Sequence, residues 1–397
     1  MVKSASQSRI RVVATADNHL GLFYDRMLPQ KLAARRKYLR DGFKAAVDYA
    51  IEWQAHLFLI AGDLFDRNDP RNLERSFVAH CLARLNQAGV RVFAIGGNHD
   101  TPRQSIDQGG SMPLEIYYRL GALSLFAKNA SIETEYLEIE GLKIAVGGLN
   151  PDPNAPAGSD PLENLSWDNL DSDTDLSILL LHGLVEGYAP PDSSDPVFKL
   201  KTLQNYDGAD IFVIGDIHKP AHRKIGPRSV IIPGATERMT FGERPEVPGF
   251  ATFVLGPYGL EEFDRKSLGG QPRAELTLRI ADLNPGNLLN DIIERVTRIC
   301  TPETMVKLRL EGFISLDLYH RLELRKLYET INARCFHFVV DTSALLIERP
   351  EGTGSFGIGV LSQTEEISQY AISLSLNASQ EEQRLYQDAV KRLLEHY

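Results

Sequence analysis

The stretch IRVVATADNH, residues 10–19, runs from a β-branched and small apolar segment straight into a polar tip that carries Asp17 and His19. The apolar part has the composition of a strand covered on both faces, and the acid and the imidazole fall where that strand stops. The same pattern recurs down the chain. His56–Ala61 leads into Gly62, Asp63 and Asp66, and Val90–Ile95 into Gly97, Asn98, His99 and Asp100. Ser177–Leu181 leads into His182, and Asp210–Ile214 into Gly215, Asp216 and His218. Leu142–Val146 and Ser229–Ile232 are further apolar runs, while Gln30–Gln54 and Leu73–Gln87 space their apolar residues as helices do. Short apolar strands interleaved with amphipathic helices predict an α/β layered domain.

Working outward from these runs, a Gly/Pro-containing stretch, Ser267–Pro272, follows the strand-like Gly249–Leu255 and marks a boundary. Beyond it the pattern reads strand (Ala274–Ile280), helix (Pro285–Ile299), strand (Met305–Leu310), helix (Leu316–Ala333), strand (Phe336–Asp341), a small α+β module. A Gly/Ser-rich linker, Gly352–Gly359, then leads to helical segments Ser362–Ile372 and Ser379–Tyr397. The second carries an apolar stripe of Leu385, Ala389, Val390, Leu393 and Leu394, which invites a partner as readily as it covers its own domain.

Composition narrows the functional classes. The 397 residues are 43% hydrophobic and 24% charged, which excludes collagen-like, low-complexity and wholly disordered chains. No stretch reaches the roughly 18 apolar residues of a membrane span, and the N-terminus lacks the apolar core of a signal peptide. A cytoplasmic protein is expected. Cys81, Cys300 and Cys335 are odd in number and far apart, so they read as buried thiols and form neither a disulfide framework nor a zinc knuckle. The net charge of −10 argues against coating nucleic acid by bulk electrostatics, yet leaves room for a local basic groove or a metal-centred site.

In an α/β sheet the carboxyl ends of the strands define the functional edge, so acids and imidazoles far apart in sequence can converge there. Two divalent ions about 3.5–4 Å apart can clamp a phosphate, activate water and stabilise both attacking and leaving oxygens. A bridging carboxylate must hold such a pair, and Asp63 is the natural bridge. Asp17, His19 and His218 complete one ion; Asn98, His182 and Asp216 complete the other. Mixed oxygen and imidazole ligands suit manganese, iron or zinc, and the oxygen-rich second set favours manganese. His99, beside a ligand without being needed as one, is expected to protonate the leaving oxygen or stabilise its charge, with Asp66 orienting it through the other ring nitrogen.

Asp17-Asn18-His19, GDLFD at 62–66, GNHD at 97–100, His182 in LHG, and GDIH at 215–218 resemble the five motifs of calcineurin-like metallophosphoesterases. A narrower resemblance is to DNA double-strand-break repair nucleases of the SbcD type. It is carried by ATADNHLG, AGDLFD, LLHGLVEG, GDIHKP and, beyond the ligand motifs, PGATERMTFGE at 233–243 followed by PGF at 248–250. This resemblance implies a layered β-sandwich metallophosphoesterase domain flanked by helices over residues 8–266. A DNA-contacting capping domain over 273–346 and a helical tail over 360–397 that docks an ATPase partner would follow. It further implies a manganese-dependent DNA exonuclease and endonuclease acting on double-stranded ends, hairpins or single strands. Such an enzyme works near the nucleoid as a homodimer, through the Leu73–Gln87 region, with an SMC-like ATPase of the SbcC type. The chain has no GxxxxGK[ST] phosphate loop of its own.

One position departs from the family. The last motif usually reads GHxH, and Asp216 stands where its first histidine would be. An acid can ligate, but it is shorter and adds negative charge, so the site either works with an altered metal preference or has a weakened second ion. Two other readings stay open: a phosphoesterase for small molecules or phosphoproteins, and a DNA-end-binding scaffold silenced by Asp216. Finally, Arg26, Lys31, Arg35, Arg36, Lys37, Arg40 and Lys44 make a basic helix after the first motif. Arg35, Arg36, Lys37 and Arg40 there, and Arg238 in the later stretch, are expected to contact the phosphate backbone.

Overall fold

The structure is a computed structural model that describes residues 9–24, 27–102, 111–188, 193 and 195–348. The expected linker and tail helices lie outside these residues. The chain runs β1 (Ile10–Thr15), α1 (Pro29–Glu52), β2 (Leu57–Ala61), α2 (Asn72–Gln87), β3 (Arg91–Ile95), α3 (Glu115–Arg119) and β4 (Ser124–Phe126). It continues through β5 (Glu133–Ile139), β6 (Leu142–Gly148), β7 (Leu176–His182), the two-residue β8 (Leu184–Val185) and β9 (Val197–Phe198), then α4 (Leu200–Asn205). Then come β10 (Ile211–Gly215), β11 (Ala221–Ile225), β12 (Arg228–Ile232), β13 (Gly249–Gly256) and β14 (Gly259–Ser267).

Two six-stranded sheets form from these strands, in the orders β14-β13-β1-β2-β3-β4 and β11-β12-β10-β7-β6-β5. The central strands of each are parallel; antiparallel strands occupy both margins of the second sheet and the β13–β14 margin of the first, whose other edge strand, β4, is parallel to β3. Between the sheets lies a core of Val12, Ala14, Leu57, Leu59 and Phe93 from one and Ile144, Val146, Ile178, Leu180 and Val213 from the other. The outer face of the first sheet is covered by Leu39, Phe43 and Val47 of α1 and Val78, Leu82 and Leu85 of α2. Trp167, Phe198, Leu203 and Tyr206 cover the second. Strands buried on both faces explain why β1, β2, β3, β7 and β10 were legible as uninterrupted apolar runs. The marginal strands β5, β11 and β14 read ETEYLEI, AHRKI and GLEEFDRKS; half exposed, they carry no apolar run that sequence inspection could find.

The C-terminal module comprises β15 (Arg273–Arg279), α5 (Leu288–Thr297), β16 (Met305–Ser315), α6 (Leu316–Arg321), α7 (Leu324–Asn332) and β17 (His337–Glu348). Its three strands pair in the order β15-β16-β17 over a core of Leu278, Ile292, Val296, Leu308, Leu327 and Phe338. The expected single helix over 316–333 is two helices. The Ser315 side chain caps the first by accepting from Leu318 N–H (3.3 Å), and Glu323 breaks the run with a left-handed φ of 42°. Strands β16 and β17 also run further than expected, to Ser315 and Glu348.

The basic face of α1 corrects an expectation. Arg35 has no exposed surface, and its guanidinium lies 3.4 Å from the buried Glu237 carboxylate and donates to Arg238 O. Arg36 is buried too, its Nε donating to Gly21 O and Leu22 O at 3.0 Å. Arg40 pairs with the fully buried Glu74 at 3.2 Å, and Arg238 Nε donates to Glu246 O at 2.7 Å. Arg35 and Arg36 therefore hold loops in place and are closed to phosphate, because buried carboxylates and carbonyls occupy their donors. Among the five, only Lys37 is exposed, where it pairs with Asp41 one turn on. Arg35→Ala should cost about 3–5 kcal/mol by stranding Glu237, whereas Lys37→Ala should stay within about 0.5 kcal/mol, as read by urea denaturation. Equal midpoints for the two variants would refute the structural role of Arg35.

Candidate metal centre

Five loops meet at the carboxyl ends of β1, β2, β3, β7 and β10, and backbone pairing sets their positions. The loops after β1 and β2 stay zipped beyond the sheet: Asp17 N–H donates to Gly62 O (3.2 Å), His19 N–H to Asp63 O (3.0 Å) and Leu20 N–H to Leu64 O (2.9 Å). Asp216 N–H donates to Asp17 Oδ1 (2.9 Å), tying the second sheet to the first. These loops turn sharply. Of seven described non-glycine residues with left-handed φ, four are Asp17 (51°), His19 (44°), Asp63 (50°) and Asp216 (84°). Such conformations are costly for L residues and persist where surrounding contacts over-determine them, most often at functional sites. Space is equally tight: a Cβ on Gly97 would sit 2.0 Å from Asp63 Oδ1, and one on Gly62 2.2 Å from His182 Nδ1. Only glycine admits those approaches.

Asp63 is at the centre. Its Oδ1 accepts from His99 N–H (2.9 Å), while its Oδ2 lies 3.6 Å from His19 Nε2 and 3.5 Å from His182 Nε2, histidines contributed by different sheets. Asp17, His19 and His218 bring ligand atoms within 4.8 Å of one another, as do Asp17, Asp63 and His182, and His19, Asp66 and His99. Asn98 Oδ1 is 3.3 Å and Asp216 Oδ1 3.8 Å from His182 Nε2. All seven residues read from the sequence as ligands are thus brought together. His182 Nδ1 lies 2.8 Å from Ala61 O, an arrangement in which Nδ1–H donates and Nε2 is left for a cation.

Electrostatics favour a cation. Asp17 Oδ2 and His19 Nε2 are buried without a hydrogen-bond partner. Orphaned acceptors of this kind carry a full desolvation penalty unless something charged meets them. Burial opposes protonation of His182, yet the nearby Asp63 carboxylate holds its pKa well above the ordinary histidine value. Burial also opposes protonation of His218, but Glu243, 3.3 Å from its Nδ1, raises it to about 9. Glu243 falls to about 2: burial would raise it, and the His218 contact outweighs that. Burial raises Asp216, with the Asp17 and Asp63 charges adding to the effect against the pull of His182. With protons standing where cations would, the donor set of carboxylate, amide and imidazole fits divalent ions.

Two features differ from expectation. His99 does sit beside the centre, its ring edge-on to His19 at 4.7 Å, but its Nδ1 faces the main-chain carbonyl of Asp66 (3.1 Å) rather than the carboxylate (3.8 Å). The Asp66 carboxylate is closer to His19 Nδ1, at 3.4 Å, because the zipped loops bring those two residues side by side. Sequence reading also assigned no role to Asp100, which is fully buried. Its carboxylate accepts from Gly97 N–H (2.6 Å), Leu64 N–H (2.9 Å) and Phe65 N–H (3.4 Å), bracing the loops after β2 and β3. Burial and the Asp63 charge raise Asp100 to about 7. Its place in GNHD was the available signal. Asn18, donating to Thr15 and Thr236 hydroxyls at 2.8 and 3.0 Å, and Glu243, behind His218, were likewise missed.

The chain is 26% identical over 342 residues to the DNA double-strand break repair protein Mre11 of Haloferax volcanii, covering 85% of this chain and 66% of that relative's own length. It is 26% identical over 288 residues to the protein of the same name from Saccharolobus solfataricus, covering 72% and 69%. A dimetal phosphatase from Danio rerio aligns with a TM-score of 0.41 at 14% identity, over 65% of this chain and 95% of that one. Residues 10–220, which hold every strand-end residue described above, match the model of the calcineurin-like phosphoesterases, and the chain belongs to that family.

Proposed function

We propose that this chain is a two-metal phosphodiesterase that cuts DNA ends in double-strand-break repair. The observation that carries the reading is the Asp63 carboxylate, whose Oδ2 lies 3.6 Å from His19 Nε2 and 3.5 Å from His182 Nε2, so that Asp63 would belong to the ligand sets of both ions. Asp17, His19 and His218 would hold one ion with Asp63; Asn98, His182 and Asp216 would hold the other. When bound, the ions supply Lewis-acid polarisation of the phosphodiester and a lowered pKa for the attacking water. The chain supplies the rest. Ala61 O fixes the His182 tautomer, Asp100 braces the loops that carry Asp63 and Asn98, and Asp66 O engages Nδ1 of the exposed His99 ring. That leaves His99 Nε2 to give a proton to the leaving oxygen.

DNA as the substrate is supported by the names of the two relatives and by the stretch at 233–250 that the sequence shares with the SbcD type. Residues 8–266 are the nuclease domain and 273–346 the capping domain in this reading, and manganese is the favoured ion for the oxygen-rich donor set. An SbcC-type ATPase is the partner and the nucleoid the place of action. A homodimer forms through α2, whose Leu73 is half exposed.

Manganese-dependent cleavage of an end-labelled duplex is the direct test: Asp63→Ala should lose it by at least about 1000-fold, taking the whole two-ion effect with the bridge. If the wild-type chain hydrolysed only a phosphomonoester, the nuclease reading would fail. Asp216→His should keep activity while shifting the metal preference, and total loss would show that the acid is not an interchangeable ligand. Proton linkage gives a third check. A folded-state pKa raised to about 9 means that the proton on His218 stabilises the metal-free chain fully below about 6.5 and is lost as pH rises through 9. Ligating imidazoles must be neutral, so ion binding at pH 7 should release protons and tighten as pH rises towards 9. Titration calorimetry in two buffers of different ionisation enthalpy reads this, and buffer-independent heats would contradict it.

A further inference from the structure

Loop 236–246 lies outside the strand-end motifs, yet it touches both the centre and the C-terminal module. At one end Glu237, almost fully buried, accepts from Gln271 N–H (2.8 Å) and faces Arg35 at 3.4 Å. Arg238 O accepts from Arg273 (2.6 Å), the first residue of β15, and also from Arg35. Tyr24 OH joins the same knot, donating to Met239 O (2.6 Å) and accepting from Arg273 (3.2 Å). At the other end Glu243 folds back on the loop: one carboxylate oxygen accepts from Met239 N–H (2.7 Å), and the other from Thr240 N–H (3.2 Å) and its hydroxyl (2.9 Å). That second oxygen is also the one 3.3 Å from His218 Nδ1. The loop is therefore gripped by β15 at Arg238 and grips a histidine of the centre through Glu243.

We infer that Glu243 is a positioning residue for His218, and that the seating of the C-terminal module on loop 236–246 sets where Glu243 holds that imidazole. Resting on the two-metal reading, this goes beyond it by naming a residue behind the ligands and the element that governs it. A carboxylate on Nδ1 fixes the ring plane and tautomer and leaves Nε2 for the ion. Only three residues separate Met239 from Glu243, and Met239 O and N–H are both engaged, so a shift of the loop at Arg238 moves Glu243 with it.

The test is manganese binding to the full chain by calorimetry, with the spin-coupled manganese signal read by paramagnetic resonance. Glu243→Ala should weaken one of two ions by about 10–100-fold and leave the other near its wild-type affinity, with Glu243→Asp recovering part of the loss. Arg273→Met, which keeps an unbranched stem but drops the module's grip on Arg238 O, should weaken the same ion several-fold. Ile292→Val, in the module's core away from the loop, should leave both ions unchanged. Melting in chelator establishes that each variant is folded. Wild-type affinities in folded Glu243→Ala or in folded Arg273→Met would overturn the inference, as would equal weakening by Ile292→Val. A wild-type chain that bound no manganese would instead overturn the two-metal reading.

Discussion

The contact of Asp63 with histidines from both sheets is the constraint on which the rest depends. It can form only if the carboxyl ends of β2 and β7 come to the same place, and that requires two sheets packed face to face with parallel centres. The apolar core between the sheets fixes their separation, and the zipped loops after β1 and β2 fix the height at which Asp17, His19 and Asp63 emerge. The tight backbone at Gly62 and Gly97 follows, because a loop that must deliver a carboxylate to a crowded point leaves no space for a Cβ.

Such a centre stores opposing costs. Asp17, Asp63, Asp100 and Asp216 share a small, largely buried volume, and like charges there repel strongly. Without cations the cluster relieves itself by taking up protons: Asp100 and Asp216 are pushed up by burial, and His182 and His218 are held up by neighbouring carboxylates against burial. Of these groups Asp17, Asp63, Asp216, His182 and His218 are the proposed ligands, so two dications held there would relieve part of the repulsion that the protons now offset. Left-handed backbone at four of the proposed ligand positions adds to the cost, and it persists because hydrogen bonds from both sheets hold those residues in place.

Much of this was legible in the sequence, for a physical reason. Central strands buried on both faces are apolar throughout, so β1, β2, β3, β7 and β10 announce themselves, and each carries the loop after it to the same edge. Marginal strands and the break at Glu323 were not legible, since exposed alternating residues and a single left-handed turn leave little compositional trace. The candidate ligands stood out because acids and imidazoles at strand ends are conspicuous. Asp100 and Glu243 were passed over because what they do depends on which backbone N–H groups and which imidazole lie opposite them, and only the folded chain shows that.

The basic run of α1 shows the opposite failure, a conspicuous signal with an inconspicuous use. Read as a linear pattern, Arg35, Arg36 and Arg40 look like a phosphate-binding face; in the fold they supply buried countercharge to Glu237 and Glu74 and pin the loop after β1 by its carbonyls. A chain of net charge −10 that gathers carboxylates at one edge needs internal cations near that edge to keep its loops in register. Helix α1 is well placed for this, because it follows the first ligand loop directly and packs on the sheet that delivers Asp17 and Asp63. Its arginines are thus better understood as part of the scaffold that holds the centre than as part of the surface that meets substrate.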